Sequence, residues 1–220
     1  MIRNGHIAAI AELSESEGVF TTAQAARMDI PRDAFHDAVE AGRLERVMRG
    51  AYRLIGSGSL ETDELAAIWK LTDASRFSYE RAQADAWDGI VVGGATAASI
   101  IGIGDFFLSP YRIFTPRRFN TRNKVAHFGI RRIDRDDVTF EYDVPVTRSE
   151  RTVFDLILDH EDGSLIVDAL RDACSGPMRF DFDRFRNLLD SKYGKSKGTS
   201  LFESLMLDAD VETSALRRVV

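Results

Sequence analysis

The sequence predicts a protein of the α/β class in which helices and strands are largely segregated (α+β), with a small N-terminal and a larger C-terminal domain. Its 220 residues are 44% hydrophobic and 29% charged, which is the composition of an ordinary globular protein. Apolar residues recur at helical spacing towards both ends of the chain, while strand-like patterns cluster between Tyr111 and Val146. A Gly-Ser-Gly-Ser run at 56–59 marks a joint, which predicts domains over 1–56 and 60–210.

The first domain is predicted to contain three helices followed by a hairpin. Helical spacing places the helices at 2–17, 22–28 and 32–41, and Thr21-Thr22 can cap the second of them. Two short runs with apolar and aromatic residues then flank an Arg-Gly pair, which is typical of a hairpin turn. Helix, short helix, tight turn, helix and hairpin is the order of a winged helix-turn-helix domain.

This order of elements favours DNA binding. The alanines of the second helix let it approach the third closely, so that the third helix can present its outer face to a major groove. The arginines of the hairpin can reach phosphates or the adjacent minor groove; they are Arg43, Arg46, Arg49 and Arg53.

The outer face of the third helix is less typical of a DNA reader. Three acids, Asp33, Asp37 and Glu40, share it with Arg32 and His36. Helices that read bases are usually richer in basic and amide side chains. Two interpretations stay open: the arginines of the hairpin supply most of the affinity for DNA, or the domain docks a protein instead.

The second domain is predicted to mix strands with helices and to end in a helical tail. Thr147 and Glu150 have the spacing of a capping box, and Val153, Leu156 and Ile157 follow as a core stripe. The predicted helices lie at 60–70, 78–87, directly after Thr147, and at 165–174, 182–191 and 199–208; the predicted strands are Tyr111–Thr115, Val125–Ile133 and Thr139–Val146.

An apolar stretch at 89–108 needs comparison with a membrane span. It carries a single charge, Asp105, but also five glycines. A spanning helix requires about 20 predominantly apolar residues, and such a density of glycine disfavours one. We expect a buried strand, a Gly-Gly turn and a short core helix, and no contact with a membrane. The single cysteine, Cys174, allows no internal disulfide, and the N-terminus shows no secretory signal, so we expect a cytoplasmic protein.

Positive charge is concentrated in one segment of an otherwise acidic chain. The net charge is −6, yet the segment from Arg112 to Arg135 carries +7, because it contains eight basic residues and a single acidic residue, Asp134. Such a segment predicts a local anion-binding face, although its arginines could instead pair with acidic helices elsewhere. The residues expected on this face are Arg112, Arg117, Arg118, Arg122, Lys124, Arg131 and Arg132.

Three segments together resemble one protein family, the AbiEi-type antitoxins. The stretch GVFTTAQAARMDIPRDAFHDAVEAGRLERVMRGAYRL resembles the N-terminal winged helix of that family, including its Arg-Gly-x-Tyr wing. GGATAASIIGI resembles its Ala-rich helix ending in Gly, and DVPVTRSERTVFDLI resembles its Pro-Val-Thr helix entry. The matching segments span most of residues 18–160 in the same order.

The resemblance implies a non-enzymatic antitoxin without a cofactor. The N-terminal domain would bind double-stranded DNA at inverted repeats in its own promoter and repress transcription. The C-terminal domain would counteract a nucleotidyltransferase-like toxin, with or without a stable complex. The resemblance assigns Arg43, Arg46, Arg49, Gly50 and Tyr52 to the wing and Arg32 and His36 to the recognition helix; with Arg53, Thr21 and Thr22 they form the predicted DNA-binding set.

Two other functions stay open at this stage. One is a stand-alone winged-helix regulator whose C-terminal domain senses a ligand or partner. The other is a metal-dependent nuclease, which needs clustered carboxylates and a lysine. Candidates for the latter are Asp134, Asp136, Asp137, Glu141 and Asp143 with Lys124, whereas the scattered histidines and lone cysteine predict no zinc site. We interpret Asp155 as an ion-pair partner of Arg151 at i,i+4, His127 as a half-buried strand residue, and Cys174 as an inert core thiol.

Overall fold

A computed structural model describes residues 4–56 and 60–211. Helices hold 51% of the residues and strands 15%, which confirms the α+β class. The chain forms two compact units: Met1–Asp88 with Tyr142–Val144, and Gly89–Glu141 with Pro145–Val220. The first unit therefore continues past the predicted end at residue 56. The predicted linker residues 57–59 lie outside the described residues, so the domain boundary there stays a prediction.

The first unit begins with the predicted winged helix. Thr21 caps the second helix, since its hydroxyl accepts from the Gln24 amide while the Gln24 side chain accepts from the Thr21 amide. The strands form a sheet in the order β1-β3-β2. The elements are α1 (Asn4–Glu17), β1 (Phe20–Thr21), α2 (Thr22–Arg27), α3 (Arg32–Glu40), β2 (Leu44–Met48) and β3 (Ala51–Leu54).

A small apolar core holds these elements together. Leu13, Phe20, Phe35 and Leu44 are almost fully buried and belong to one cluster. Ala25 of α2 is fully buried in the same cluster, so its lack of a larger side chain lets α2 pack closely, as the sequence predicts. The sheet and α3 are thereby fixed against α1, which sets the direction of the outer face of α3.

Two further helices complete the first unit. The predicted helices at 60–70 and 78–87 are found as α4 (Asp63–Leu71) and the short α5 (Ser78–Ala82), followed by a 3-10 turn. Helix α5 stops early because the backbone of Gln83 is extended. Trp69 of α4 is fully buried, and the guanidinium of Arg81 lies 3.8 Å from the centre of its ring.

The second unit contains a five-stranded mixed sheet in the order β6-β5-β4-β8-β7. Its 89–108 stretch forms a short strand and a helix, as expected, and the described residues include no helix long and apolar enough to cross a bilayer. A Cβ on Gly93 would lie 2.1 Å from the Phe114 ring, so glycine is required where the strand turns into the helix. The elements are β4 (Val91–Val92), α6 (Gly94–Ile101), β5 (Tyr111–Thr115), β6 (Ala126–Ile130), β7 (Val138–Glu141) and β8 (Val144–Thr147).

Two local predictions are wrong in this region. The single strand expected over 139–146 is two strands, because Tyr142 and Asp143 adopt positive φ values of 48° and 63° and reverse the chain. The expected capping box is absent: the Thr147 hydroxyl lies 2.7 Å from that of Thr152, and Glu150 accepts from a backbone amide elsewhere in the unit.

Four helices follow the sheet, and the last three of them form the predicted helical tail. Their core is rich in aromatic residues, with Phe180, Phe185 and Phe202 in contact. A Cβ on Gly198 would lie 2.3 Å from Oδ1 of Asp190, so the last two helices can approach closely there. The helices are α7 (Ser149–Leu158), α8 (Gly163–Ser175), α9 (Phe182–Tyr193) and α10 (Lys195–Asp208).

Candidate nucleic-acid interface

Seven of the ten predicted DNA-binding residues line one shallow groove between α3 and the β2–β3 hairpin. The groove has a volume of about 450 Å³ and also includes Phe35 and Val39. The seven residues that the structure brings together are Thr22, Arg32, His36, Arg46, Arg49, Gly50 and Tyr52.

The recognition helix presents its polar face because its apolar face is buried. Ala34, Phe35 and Ala38 point into the core, and the Phe35 ring lies 5.3 Å from that of Tyr52. Arg32 and His36 are therefore exposed along the groove. This arrangement gives α3 a cation and an imidazole at the position where a helix would meet base edges.

Acidic residues share this face, as the sequence indicated. Glu40 is 70% exposed, and its Oε1 lies 3.6 Å from Nδ1 of His36. Asp33 is also exposed. The carboxylates limit how much positive potential α3 can offer, so the groove depends on the hairpin for most of its charge.

The hairpin supplies that charge from its edge and its turn. Arg43, Arg46 and Arg49 are exposed, and the backbone of Gly50 has a φ of +91°, which only glycine adopts easily. The Gly50 carbonyl accepts from the amide of Thr22 at 3.1 Å, which ties the turn to the start of α2. The Nε of Arg46 donates to the Met48 carbonyl at 3.3 Å, which helps to orient its guanidinium group. Exposed guanidinium groups on a fixed hairpin are suited to bidentate phosphate contacts.

Two of the residues predicted to contact DNA, Thr21 and Arg53, do not line the groove and bond to other groups of the first unit. Thr21 is 1% exposed, and its hydroxyl is used by the Gln24 amide and by the carbonyl of Ala74. The Arg53 side chain is 12% exposed and lies 2.6 Å from Glu45 and 3.5 Å from Asp63. These partners within the first unit make both side chains weaker candidates for DNA contact than the seven residues that line the groove.

The basic segment of the second unit divides into a paired and an exposed group. Arg131 bonds Asp155 at 2.9 Å and Asp159 at 2.7 Å, and Arg112 lies 3.4 Å from Asp159. These two arginines thus pair with an acidic helix, which was the alternative that the sequence left open. Arg135 is half-buried and donates to the Val138 carbonyl at 3.0 Å. The other five cations are exposed, and we call them the cationic strip: Arg117, Arg118, Arg122, Lys124 and Arg132.

The buried carboxylate Asp155 has a structural role. It is fully buried and bonds Arg151, the predicted i,i+4 partner, at 3.0 Å as well as Arg131. Burial raises the pKa of Asp155, and the two guanidinium groups oppose that rise. The pairing with Arg131 was not predicted, since the two residues are distant in sequence.

The carboxylates proposed for a nuclease are dispersed or paired. Asp137 accepts two hydrogen bonds from Arg184, at 2.7 and 2.6 Å, and Asp134 lies 3.5 Å from the same guanidinium. Within residues 4–56 and 60–211, no three His, Cys, Asp or Glu side chains are grouped so as to hold a metal ion.

Two further residues were singled out in the sequence. Cys174 is half-buried, and burial raises the pKa of its thiol to about 11, so the thiol stays protonated at neutral pH. His127 is exposed rather than half-buried, so its predicted environment is wrong.

Comparisons with known proteins support the resemblance for part of the chain. Residues 8–55 match the model of a family described as "Transcriptional regulator, AbiEi antitoxin", which confirms the resemblance over the winged helix. The Rv2827c protein from Mycobacterium tuberculosis has a similar fold, with a TM-score of 0.54 and 14% identity, covering 97% of this chain and 84% of that one. A comparison with curated proteins finds no match.

Proposed function

We propose that this protein is the antitoxin of an AbiE-like toxin–antitoxin pair and represses its own promoter. The family match over residues 8–55 supports a DNA-binding transcriptional regulator of the antitoxin class. The finer proposal is that the winged helix binds double-stranded DNA at inverted repeats upstream of its own gene. It further holds that the protein acts in the cytoplasm and without catalysis of its own.

One observation carries the DNA-binding part of the proposal. The groove between α3 and the hairpin collects Arg32, Arg46 and Arg49 with His36 around one concave surface. A helix beside a cationic turn matches a major groove and its flanking phosphates. Because α3 also carries acids, we expect the arginines of the wing to supply most of the affinity and α3 to supply selectivity.

The toxin-directed part of the proposal concerns the second unit. The cationic strip gives that unit an exposed positive face, as an acidic partner surface would require. We propose that this face, flanked by the paired Arg112 and Arg131, counteracts a nucleotidyltransferase-like toxin.

Two assays in cells test the proposal. In the first, a reporter is placed behind the DNA upstream of the gene, and expression of the protein should lower its output but not that of a scrambled promoter. In the second, co-expression should restore growth to cells that express the toxin encoded beside the gene. Loss of both effects would contradict the proposal. Repression without rescue from the toxin would support only the function as a transcriptional regulator.

A stand-alone regulator with a ligand-sensing domain is the second candidate function. A cavity of about 640 Å³ in the second unit favours it; five carboxylates and three arginines line the cavity, including the exposed Arg148, Arg179 and Asp183. That function predicts a small molecule that changes the affinity for DNA, and a gene neighbourhood without a nucleotidyltransferase.

A further inference from the structure

We propose that the outer edge of β6, together with the cationic strip, docks an extended acidic segment of a protein partner, which adds to the sheet as a further strand. The inference rests on the proposed antitoxin function, because it specifies how the positive face of the second unit would recognise its partner. It adds the form of that partner segment, a β-strand, and its charge.

The backbone of β6 supplies the first argument. Strand β6 is the last in the sheet order and pairs in parallel with β5. The amide of Tyr111 donates to the carbonyl of Val125, and the amide of Arg131 donates to that of Thr115. In a parallel pair, every second residue of a strand directs both its amide and its carbonyl towards the same neighbouring strand. The backbone groups of the odd-numbered residues of this segment therefore point towards β5.

The even-numbered residues of β6 therefore direct their backbone groups away from the sheet. These are Ala126, Phe128 and Ile130. No strand among the described residues pairs with this side. Alternating amides and carbonyls along an edge form the template that an added strand completes.

The side chains along the edge supply the second argument. Ile130 is 67% exposed at the end of the strand. The Phe128 ring lies 4.6 Å from the ring of Phe119, a residue of the preceding loop. An apolar side chain and an aromatic pair beside an open edge offer contacts for alternate side chains of an added strand.

The charge of the neighbourhood selects the partner. No acidic residue occurs between Pro116 and Arg132, and all five cations of the strip are exposed there. The loop that carries most of them is held by hydrogen bonds at both ends, from the Thr115 hydroxyl to the Arg117 carbonyl and from the Val125 amide to Asn123. The strip repels basic strands and attracts acidic ones.

A peptide strand fits this surface better than a nucleic acid. A phosphate backbone could satisfy the cations, but it offers no regular donors to the outward carbonyls of β6. An acidic strand satisfies the cations and both kinds of backbone group. The inference is therefore specific to protein.

Fluorescence anisotropy with the full-length protein tests the inference. The probe is a labelled seven-residue peptide of alternating glutamate and valine. The control peptide has the same sequence with an N-methyl group on every backbone nitrogen, which removes strand pairing along both edges but retains the charge. We expect the control to bind roughly tenfold or more weakly.

Protein variants provide the matched comparison. Ile130→Pro removes an outward amide that β5 does not use, which is where edge strands tolerate proline, whereas Ile130→Thr retains it. We expect Ile130→Pro to lose binding and Ile130→Thr to keep most of it. A triple variant, Arg117→Glu, Arg118→Glu and Arg122→Glu, should lose binding whether or not Ile130→Pro folds.

Several outcomes would overturn the inference. The first three are failure of the wild-type protein to bind the acidic peptide, equal binding of the two peptides, and an undiminished affinity for the peptide in a folded Ile130→Pro variant. The fourth is displacement of the peptide by a single-stranded oligonucleotide whose own affinity is unchanged by Ile130→Pro. The fifth is self-association of the protein through this edge, measured by sedimentation. Failure of the proposed function is recognised separately, since wild-type protein would then neither repress the promoter nor rescue cells from the toxin.

Discussion

The ammonium group of Lys70 lies 2.6 Å from Oε2 of Glu17, and both side chains are buried. Lys70 also donates to the Glu17 carbonyl and to the Ser78 hydroxyl, each at 2.8 Å. Gln24 of α2 donates to the same carboxylate at 3.0 Å. The winged helix is thus joined to α4 and α5 by a closed polar network, although these two helices lie beyond the family match.

Breaking this ion pair should destabilise the first unit. Lys70→Met leaves the Glu17 carboxylate buried without its cation, which costs about 3–5 kcal/mol of unfolding free energy. Urea unfolding measures the loss, and the exposed Lys192→Met on α9 is the control. Adding Glu17→Leu to Lys70→Met should recover much of the loss, and a single variant as stable as wild type would contradict the role of the pair.

The same network predicts which N-terminal fragment of the protein folds on its own. A fragment ending at residue 56 lacks Lys70 and Ser78, so Glu17 and Gln24 lose partners that they need in a buried site. We expect a fragment ending at Asp88 to unfold cooperatively and the shorter fragment to be largely unfolded. Circular dichroism during heating distinguishes them, and equal stability would contradict the account.

Acid should weaken the ion pair between Arg27 and Glu80 in the first unit. Hydrogen bonds from the Arg27 guanidinium, at 2.6 and 2.7 Å, lower the pKa of Glu80 from 4.5 to about 2. A pKa depressed on folding adds stability above about pH 4.5, and this stability is lost as the pH falls towards 2.

The variant Glu80→Gln checks this pH dependence. The difference in unfolding free energy between wild type and variant should be largest near neutral pH and shrink between pH 4.5 and 2. A difference that stays constant over that range would show that the Glu80 carboxylate titrates alike in the folded and unfolded chain.

The two groups of arginines in the second unit should respond differently to substitution. Arg131→Ala leaves the buried Asp155 with one cation fewer, so it should cost about 3 kcal/mol or more. Replacing Arg117, Arg118 and Arg122 by Ala should change stability little, because these side chains are exposed, but should impair toxin rescue. Thermal unfolding and the rescue assay give the two readouts. Full rescue by the triple variant would show that these three cations are only a solvated surface.

The sequence predicts the winged helix well because its signals are local. Helical spacing, the glycine turn and the apolar stripe each act within a few residues. The burial of Thr21 could also have been recognised, since Gln24 three residues later completes a capping box. The pairing of Arg53 with Glu45 follows from the hairpin register and could have been anticipated from the turn.

Other features depend on tertiary structure and could not be predicted. Arg131 meets Asp155 only because β6 and α7 belong to one packed unit. The division of the strand at Tyr142 was missed because tyrosine favours strands and rarely adopts positive φ. The groove forms only where α3 packs beside the hairpin. The sequence therefore predicts its residues one by one, and the structure shows that they line a common surface.

DNA affinity as a function of salt is the most direct measurement of the central claim. Wild-type protein and the Arg46→Ala/Arg49→Ala variant are titrated against the upstream DNA and a scrambled fragment, with Arg171→Ala/Lys197→Ala as a charge-matched control. We predict selective binding by wild type and by the control, and a salt slope lower by roughly one to two units in the wing variant, about 0.9 for each lost phosphate contact. Sequence-indifferent binding, or a slope that the wing variant leaves unchanged, would contradict the claim that this groove binds DNA.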